Sequence, residues 1–297
     1  MATTILACTP TLDTGNTAWM MMSTILVLLM SIPGIALFYG GLVRQKNVLS
    51  IVMQTMLIVG AVSILWVAFG YSWAFDTSYE AEGSALAGII GGWDKAFLHG
   101  ITTKSLMPSG IPEITFVMFQ CMFALITPAL ILGAFAERIK FKGYMVFTLL
   151  WVVIAYFPMA HWVWGGGFLQ QMGAFAIGII TPIICFFMVA VVKARFKYDD
   201  ALDAFGVHGV GGIVGSVLTG VFATQAITGE GGVQGSLYGD WHQLWVQLIA
   251  TVFCIVFSAI VTAVLFFLVD KTVGIRVDKR VEEEGLDIYE HGESAYN

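Results

Sequence analysis

Residues 203–220 read DAFGVHGVGGIVGSVLTG, an apolar, glycine-rich stretch that carries a single histidine, His208. An ionisable side chain at membrane depth is costly, so it usually faces the interior of a helix bundle or a solvated path. Ala204, Gly212 and Gly215 stand four residues before, four after and seven after this histidine, which places all of them on one helical stripe. The stretch therefore predicts a membrane helix whose histidine lies among small side chains.

The composition of the whole chain excludes an ordinary soluble domain. Hydrophobic residues make up 58% of its 297 residues, charged residues make up only 11%, and the mean hydropathy is +0.84. The runs without a charged residue cover residues 14–43, 47–75, 114–136, 143–192, 204–229 and 241–269. Each run reaches the roughly 18–20 residues that cross a hydrocarbon core, and the run 143–192 is long enough for two spans. The pattern predicts about seven transmembrane helices.

We place these helices at residues 17–43, 48–75, 114–136, 143–163, 177–196, 204–223 and 242–270. Residues 1–270 are then an all-α polytopic transmembrane domain, and the charged residues 271–297 form a cytoplasmic tail. Twelve of the fourteen basic residues fall on one predicted side: Arg44, Lys46, Arg138, Lys140, Lys142, Lys193, Arg195, Lys197, Lys271, Arg276, Lys279 and Arg280. Because cytoplasmic loops carry the excess of Lys and Arg, we expect the N-terminus outside and the C-terminus inside.

Aromatic residues near the predicted outer face form a second candidate feature. Phe119 and Phe123 are four residues apart on one helix, and Trp164 follows the end of another. A cation held over such rings gains from about 0.5 up to 2 kcal/mol. The alternative is the aromatic belt that membrane proteins carry at their interfaces. Spacing alone leaves both interpretations open.

The polar residues of the apolar segments also have two interpretations. His208 could line a pathway or donate to a carbonyl group on a neighbouring helix, and the pattern Gly211-xxx-Gly215 permits close helix contact. His161, at a helix end, is better explained by an interfacial structural role. Asp203 stands at the expected N-cap position of the His208 helix, where its carboxylate can accept from free amides.

The sequence contains no spacing typical of a metal site, a phosphate loop or a nucleophile–base pair. Its four cysteines show no CxxC spacing. We therefore predict a membrane protein that is not an enzyme, with no metal, no cofactor and no nucleic-acid partner.

Several stretches together resemble the ammonium transporter (Amt/Mep/Rh) family, in the family's order along the chain. Residues 33–50 (PGIALFYGGLVRQKNVLS) resemble the end of its first helix and the inner turn that follows, and residues 133–141 (GAFAERIKF) resemble the exit of its third. Residues 160–167 (AHWVWGGG) are similar to the end of its fourth helix, and residues 203–220 are similar to its tenth. Residues 271–296, with TVGIRV, EEGLD and HGESAY, resemble its cytoplasmic tail.

The resemblance implies a channel-like transporter of the plasma or inner membrane, usually a homotrimer with one pore per subunit. By matching motifs, Trp164, Phe119 and Phe123 would form the outer recruitment site and gate for ammonium. His208 would be the second of two pore histidines, and we place Asp203 and Gly212 near the pore as structural residues.

The chemistry implied by the resemblance suits this substrate. Moving an ion through a dry pore is costly, so the family's expected solution is to deprotonate ammonium and to move ammonia separately. Imidazoles along the path can hydrogen-bond ammonia or relay a proton. The likeness of the tail also implies docking of a PII-type regulatory protein.

The chain departs from the family pattern near residues 174–177, where the end of the fourth helix leads directly into a segment that resembles the ninth. The fifth to eighth helices are missing, and with them the first pore histidine. Two hypotheses follow. The chain transports ammonium or ammonia, by the parent mechanism or by a reduced pore completed by a neighbouring subunit. Alternatively, it is a truncated, non-transporting subunit that associates with or regulates full-length transporter trimers.

Overall fold

The computed structural model describes residues 10–165, 181, 184–223 and 233–296. In this part of the chain six helices are long and apolar enough to cross a membrane. They are α1 (Thr14–Leu42), α2 (Gln45–Ala81), α3 (Glu113–Phe135), α4 (Phe141–Trp164), α6 (Phe205–Phe222) and α7 (Trp241–Thr272). Residues 184–196 are also helical and are called α5; the start of the predicted helix 177–196 lies outside the described residues. A short tail helix, α8, covers Lys279–Glu284.

The prediction of an all-α membrane protein is confirmed, because the described residues contain isolated β-bridges but no strand. The described helices follow the predicted placements to within a few residues, and α1 bends at Ile32, the residue before Pro33. The count of seven spans stays a prediction.

The core of the bundle forms where α2, α3 and α4 meet. The indole Nε1 of Trp66 on α2 donates to the carbonyl oxygen of Val117 on α3 at 3.1 Å. Its ring packs edge-on against Phe157 of α4, with ring centroids 5.7 Å apart. At Gly70 a Cβ atom would come within 2.5 Å of the same Phe157 ring, so only glycine lets α2 and α4 approach this closely.

The C-terminal tail folds back onto the turn between α1 and α2. The carboxylate of Asp287 is fully buried and accepts from the backbone amides of Leu49 at 3.0 Å and Ser50 at 2.8 Å. These amides belong to the first α-helical turn of α2, which begins at Val48 after the 3₁₀ turn Gln45–Asn47; free N–H groups and the positive end of the helix dipole favour an anion there. Asn47 extends the contact, because its side-chain oxygen accepts from the amide of Leu286 at 2.7 Å. The tail thus supplies the N-terminal cap of α2.

The same end of the molecule gathers basic residues that the charge pattern placed inside. Arg44 pairs with Glu137 at 3.0 Å, and Arg138 pairs with Glu282 of α8 at 3.6 Å. At the opposite end, the amide of Asp13 donates to the carbonyl oxygen of Gly110 at 3.0 Å. Arg44 and Arg138 thus lie at the end of the bundle opposite to Asp13, in agreement with the charge pattern. Which end faces the cytoplasm stays a prediction.

Replacing Asp287 by alanine is expected to lower the free energy of unfolding by about 1–3 kcal/mol, because two buried amides lose a charged acceptor. The variant Asp287→Ala should also expose residues 271–296 to protease. Thermal unfolding and limited proteolysis in detergent would measure both effects. Glu293→Ala, which removes an exposed carboxylate of the same tail, is the control and should leave both unchanged. Equal behaviour of the two variants would contradict the capping role.

Candidate functional site

The three aromatic residues predicted at the outer face lie in one line across two helices. Phe119 and Phe123 on α3 pack edge to face, with ring centroids 5.1 Å apart and an interplanar angle of 76°. Phe123 in turn contacts Trp164 at the end of α4, with centroids 6.4 Å apart. Trp164 is 46% exposed, so part of its surface remains accessible. The fold therefore brings together the residues that the sequence singled out.

Trp164 also lines a groove of about 1180 Å³ between α4, α6 and α7, which we call the central groove. α4 contributes apolar side chains to the lining, α6 contributes both small and large residues, and α7 contributes a mixture of apolar and polar residues. The lining of the groove includes Met159, Val163, Trp164, Gly209, Gly212, Ile213, Ser216, Thr251, Ser258, Thr262 and Asp270. Trp164 is thus shared by the aromatic line and the groove.

Sequence reasoning missed the hydroxyl residues of α7 that face the central groove. Thr251, Ser258 and Thr262 share one helical face by their spacing. The hydroxyl of Thr251 donates to the carbonyl of Gln247 at 2.7 Å, and that of Thr262 accepts from the Trp151 indole at 3.0 Å. The available signal was the run of small polar residues at helical spacing in an otherwise apolar span.

His208 is exposed and is not among the residues that line the groove. Phe205, Gly209 and Gly212 on the same helix line the groove, whereas Ala204, on the predicted histidine stripe, is buried. Among the described residues, the imidazole makes no hydrogen bond or ring contact with the aromatic line. The histidine is therefore accessible but does not contact the aromatic line.

The glycines of α6 divide between packing and open space. At Gly211 a Cβ atom would meet the sulfur of Cys185 on α5 at 3.3 Å, and at Gly220 it would meet Leu244 Cα on α7 at 2.8 Å. At Gly212 a Cβ atom would meet nothing within 4 Å. Close helix packing and a solvated path are therefore both compatible with α6, since one of its faces packs against neighbouring helices and the other borders the groove.

The capping role predicted for the carboxylate of Asp203 is wrong, because the carboxylate of Asp200, farther from the helix, accepts from the first amides of α6. Asp203 adopts a left-handed backbone with φ of 57° and pairs its carboxylate with Lys193. Oδ2 of Asp200 accepts from the amides of Phe205 at 2.9 Å and Gly206 at 3.1 Å. Two aspartates three residues apart before one helix give the sequence no means to choose between them.

The interfacial structural role predicted for His161 agrees with its contacts. The imidazole is buried, with Nδ1 3.1 Å from the carbonyl oxygen of Ala74 and Nε2 2.8 Å from that of Ala87. It therefore joins α4 to α2 and to the loop beyond α2. At Gly165 a Cβ atom would lie 1.7 Å from the Ala74 carbonyl oxygen, so this joint requires glycine.

Replacing His161 by alanine is expected to destabilise the protein by about 1–3 kcal/mol, because a buried carbonyl group loses its donor. Thermal unfolding in detergent would measure the loss for His161→Ala. His242→Ala, which removes an exposed imidazole at the start of α7, serves as the control and should change little. A His161→Ala variant as stable as the control would show that the imidazole does not hold the loop.

The fold and the site define a polytopic helical membrane protein whose aromatic line opens into a groove between spans, an arrangement typical of transporters and channels. A model of the Ammonium Transporter Family matches residues 18–176 and 168–296, and the chain belongs to this family. It is therefore an integral membrane protein of a transporter family, not an enzyme family.

Two curated relatives show how far the likeness extends. An ammonium transporter of Aquifex aeolicus is 32% identical over 410 residues, covering 96% of this chain and 94% of the relative. An ammonium transporter of Bacillus subtilis is 31% identical, covering 95% and 98%. The likeness reaches from one end of each relative to the other.

Solved structures support the same fold. Mep2 of Candida albicans superposes with a TM-score of 0.75 at 20% identity, covering 91% of this chain and 87% of that one. A structure described as a sensor Amt protein gives a TM-score of 0.78 at 18% identity, covering 93% and 98%. At these identities the likeness shows the arrangement of helices alone.

This chain is shorter than the relatives that it matches along their length. The alignment to the Aquifex aeolicus relative spans 410 positions, although this chain has 297 residues. The two parts matched by the family model meet at residues 168–176, directly after α4. The chain is thus a family member that lacks an internal segment present in its relatives.

Proposed function

We propose that this protein moves ammonium or ammonia across a membrane. Ammonium is recruited at the outer aromatic line of Phe119, Phe123 and Trp164, gives up a proton, and passes as ammonia along the central groove and past His208. The observation that carries the proposal is the double contact of Trp164, which packs against Phe123 and lines the groove. A cation held on its accessible surface stands at the entrance of the path.

The groove needs a further wall before it can act as a pore. It is lined by α4, α6 and α7, and His208, the neighbour of the lining residue Gly209, is exposed. In a trimer, a neighbouring subunit would supply that wall and enclose the histidine. We therefore propose a homotrimer in which each groove is completed across a subunit boundary.

The second candidate function is a non-transporting subunit that joins or regulates full-length transporter trimers. The missing internal segment favours it, because that segment would follow α4 at the edge of the groove. The docked tail, held on α2 through Asp287, also supports it, since we propose that a PII-type regulatory protein binds this tail. The membrane is the plasma or inner membrane in both cases.

Uptake of labelled methylammonium by cells that lack their own ammonium transporters separates the two functions. The transporting form raises uptake above that of cells carrying an empty vector. No increase, with the protein detected in the membrane, would exclude transport by this chain alone. Crosslinking to a co-expressed full-length family member would then test the second function, which predicts mixed assemblies and altered uptake by the partner.

Replacing Trp164 by leucine is expected to raise the methylammonium concentration for half-maximal uptake by roughly 2- to 30-fold. That range is the free energy of a cation–π contact, about 0.5 to 2 kcal/mol, expressed as a ratio. The matched control is Trp245→Leu, which removes a tryptophan that is 63% exposed on α7 and outside the groove lining. Similar half-maximal concentrations for the two variants would contradict recruitment at Trp164.

Replacing His208 by leucine is expected to reduce uptake by more than tenfold while stability changes by less than about 0.5 kcal/mol. The side chain is exposed and has no hydrogen-bond partner in the described part of the chain, so folding does not depend on it. Uptake and thermal unfolding are measured on the same preparation. Normal uptake by His208→Leu would remove the imidazole from the conduction path.

A further inference from the structure

The tail-side end of α5 carries two exposed basic residues, Arg195 and Lys197. Neither of them forms an ion pair within the described residues. Phe196, which stands between them in the sequence, is 75% exposed. Lys197 has a left-handed backbone with φ of 53°, at a position where helices usually place glycine. The helix therefore ends in two accessible positive charges that flank an accessible aromatic ring.

The acidic residues close to these cations are already engaged. Asp203 pairs with Lys193, and Asp199 pairs with Arg138. The carboxylate of Asp200 accepts from the first amides of α6, where the helix dipole places about half a positive charge. The two exposed cations of α5 thus have no counter-charge among the described residues. An anion from outside the chain would supply one.

A small apolar groove lies between α5 and α6, within the membrane-spanning part of the same two helices. Its volume is about 420 Å³, in the range of roughly 300–1,000 Å³ that small-molecule sites occupy. The groove is lined by Thr181, Cys185, Phe186, Val189 and Val207. Phe186 is 74% exposed and Val207 is 45% exposed, so the groove is open on its outer side. At Gly206 a Cβ atom would lie 2.7 Å from Cγ2 of Val189, so the two helices touch beneath it.

The groove and the cations are spaced like the two parts of a phospholipid. Val189 precedes Arg195 by six residues, which is about 9 Å along a helix. An acyl chain fits an apolar groove, and Lys and Arg side chains at the end of a span reach the headgroup layer. A soluble anion would use the charges alone, and an uncharged lipid would use the groove alone. Only an anionic lipid uses both.

We propose that α5 and α6 bind one anionic phospholipid of the tail-side leaflet. One acyl chain lies in the groove beside Val189 and Val207, and the phosphate group pairs with Arg195 and Lys197. The segment that this chain lacks would precede α5, so the lipid covers a surface that a longer relative can cover with protein. Val207 is not among the residues that line the central groove, so the site does not depend on transport.

Binding of a fluorescent phosphatidylglycerol to the purified full-length chain in a non-ionic detergent tests this site. Unlabelled phosphatidylglycerol, phosphatidylcholine and inorganic phosphate are the competitors. Each Lys or Arg beside an anionic lipid contributes about a factor of five, so two of them should make phosphatidylglycerol about 30-fold the better competitor over phosphatidylcholine. Inorganic phosphate should not displace the label, because it has no acyl chain.

The deciding variant combines Arg195→Gln with Lys197→Gln. It should weaken phosphatidylglycerol binding by about 30-fold and leave phosphatidylcholine binding unchanged. The matched control combines Lys271→Gln with Lys279→Gln, which removes two exposed basic residues from the same end of the molecule and changes the net charge equally. The control should keep its affinity for phosphatidylglycerol. It separates a site on α5 from a general attraction between basic residues and anionic lipid.

A second variant tests the groove without changing the charge. Val207→Phe places a ring in the groove and should weaken both lipids several-fold. Unchanged binding by this variant would contradict the placement of the acyl chain. If Val207→Phe instead breaks up an oligomer measured by light scattering and leaves lipid binding unchanged, this face is an interface with a second copy of the chain.

Several other results would overturn the proposal. They are equal competition by phosphatidylglycerol and phosphatidylcholine, displacement of the label by inorganic phosphate, and equal losses in the two double variants. If the deciding double variant does not fold, Lys197→Gln alone decides. We expect that single change to weaken phosphatidylglycerol binding about fivefold, and an unaltered affinity would contradict the site.

Discussion

A polar group inside an apolar medium must find a partner within the protein, and the described structure is organised around this constraint. The helices satisfy their own backbone groups, so the difficult positions are helix ends and the few polar side chains between them. Three such positions are settled by buried groups. Asp287 caps α2, Asp200 caps α6, and His161 ties the end of α4 to α2 and to the loop beyond it.

The spans could be predicted from the sequence because charge-free runs of membrane length depend on composition alone. The grouping of the aromatic line could also be predicted, since Phe119 and Phe123 are one turn apart and Trp164 lies in a stretch that resembles the family. The aspartate that caps α6 could not be predicted, because the choice between Asp200 and Asp203 depends on a left-handed turn at Asp203. The sequence also could not show which face of α6 packs and which borders the groove. That distinction among its glycines depends on the positions of α5 and α7.

The central groove lies next to the point in the chain where the internal segment is missing. Trp164 ends α4 where the two matched parts of the chain meet, and it also lines the groove. Phe123 and Trp164 are therefore present beside the groove, while the segment that would follow α4 in a longer relative is absent. Both proposed functions start from this geometry and differ only in what closes the groove.

The cap of α2 has a consequence for how the protein is made. Asp287 accepts from Leu49, a residue 238 positions earlier in the chain. The start of α2 is synthesised early, yet its amides receive the Asp287 carboxylate only after the tail has been synthesised. The start of α2 is therefore held by a residue that is made long after it, so folding of this end of the bundle has to wait for the tail.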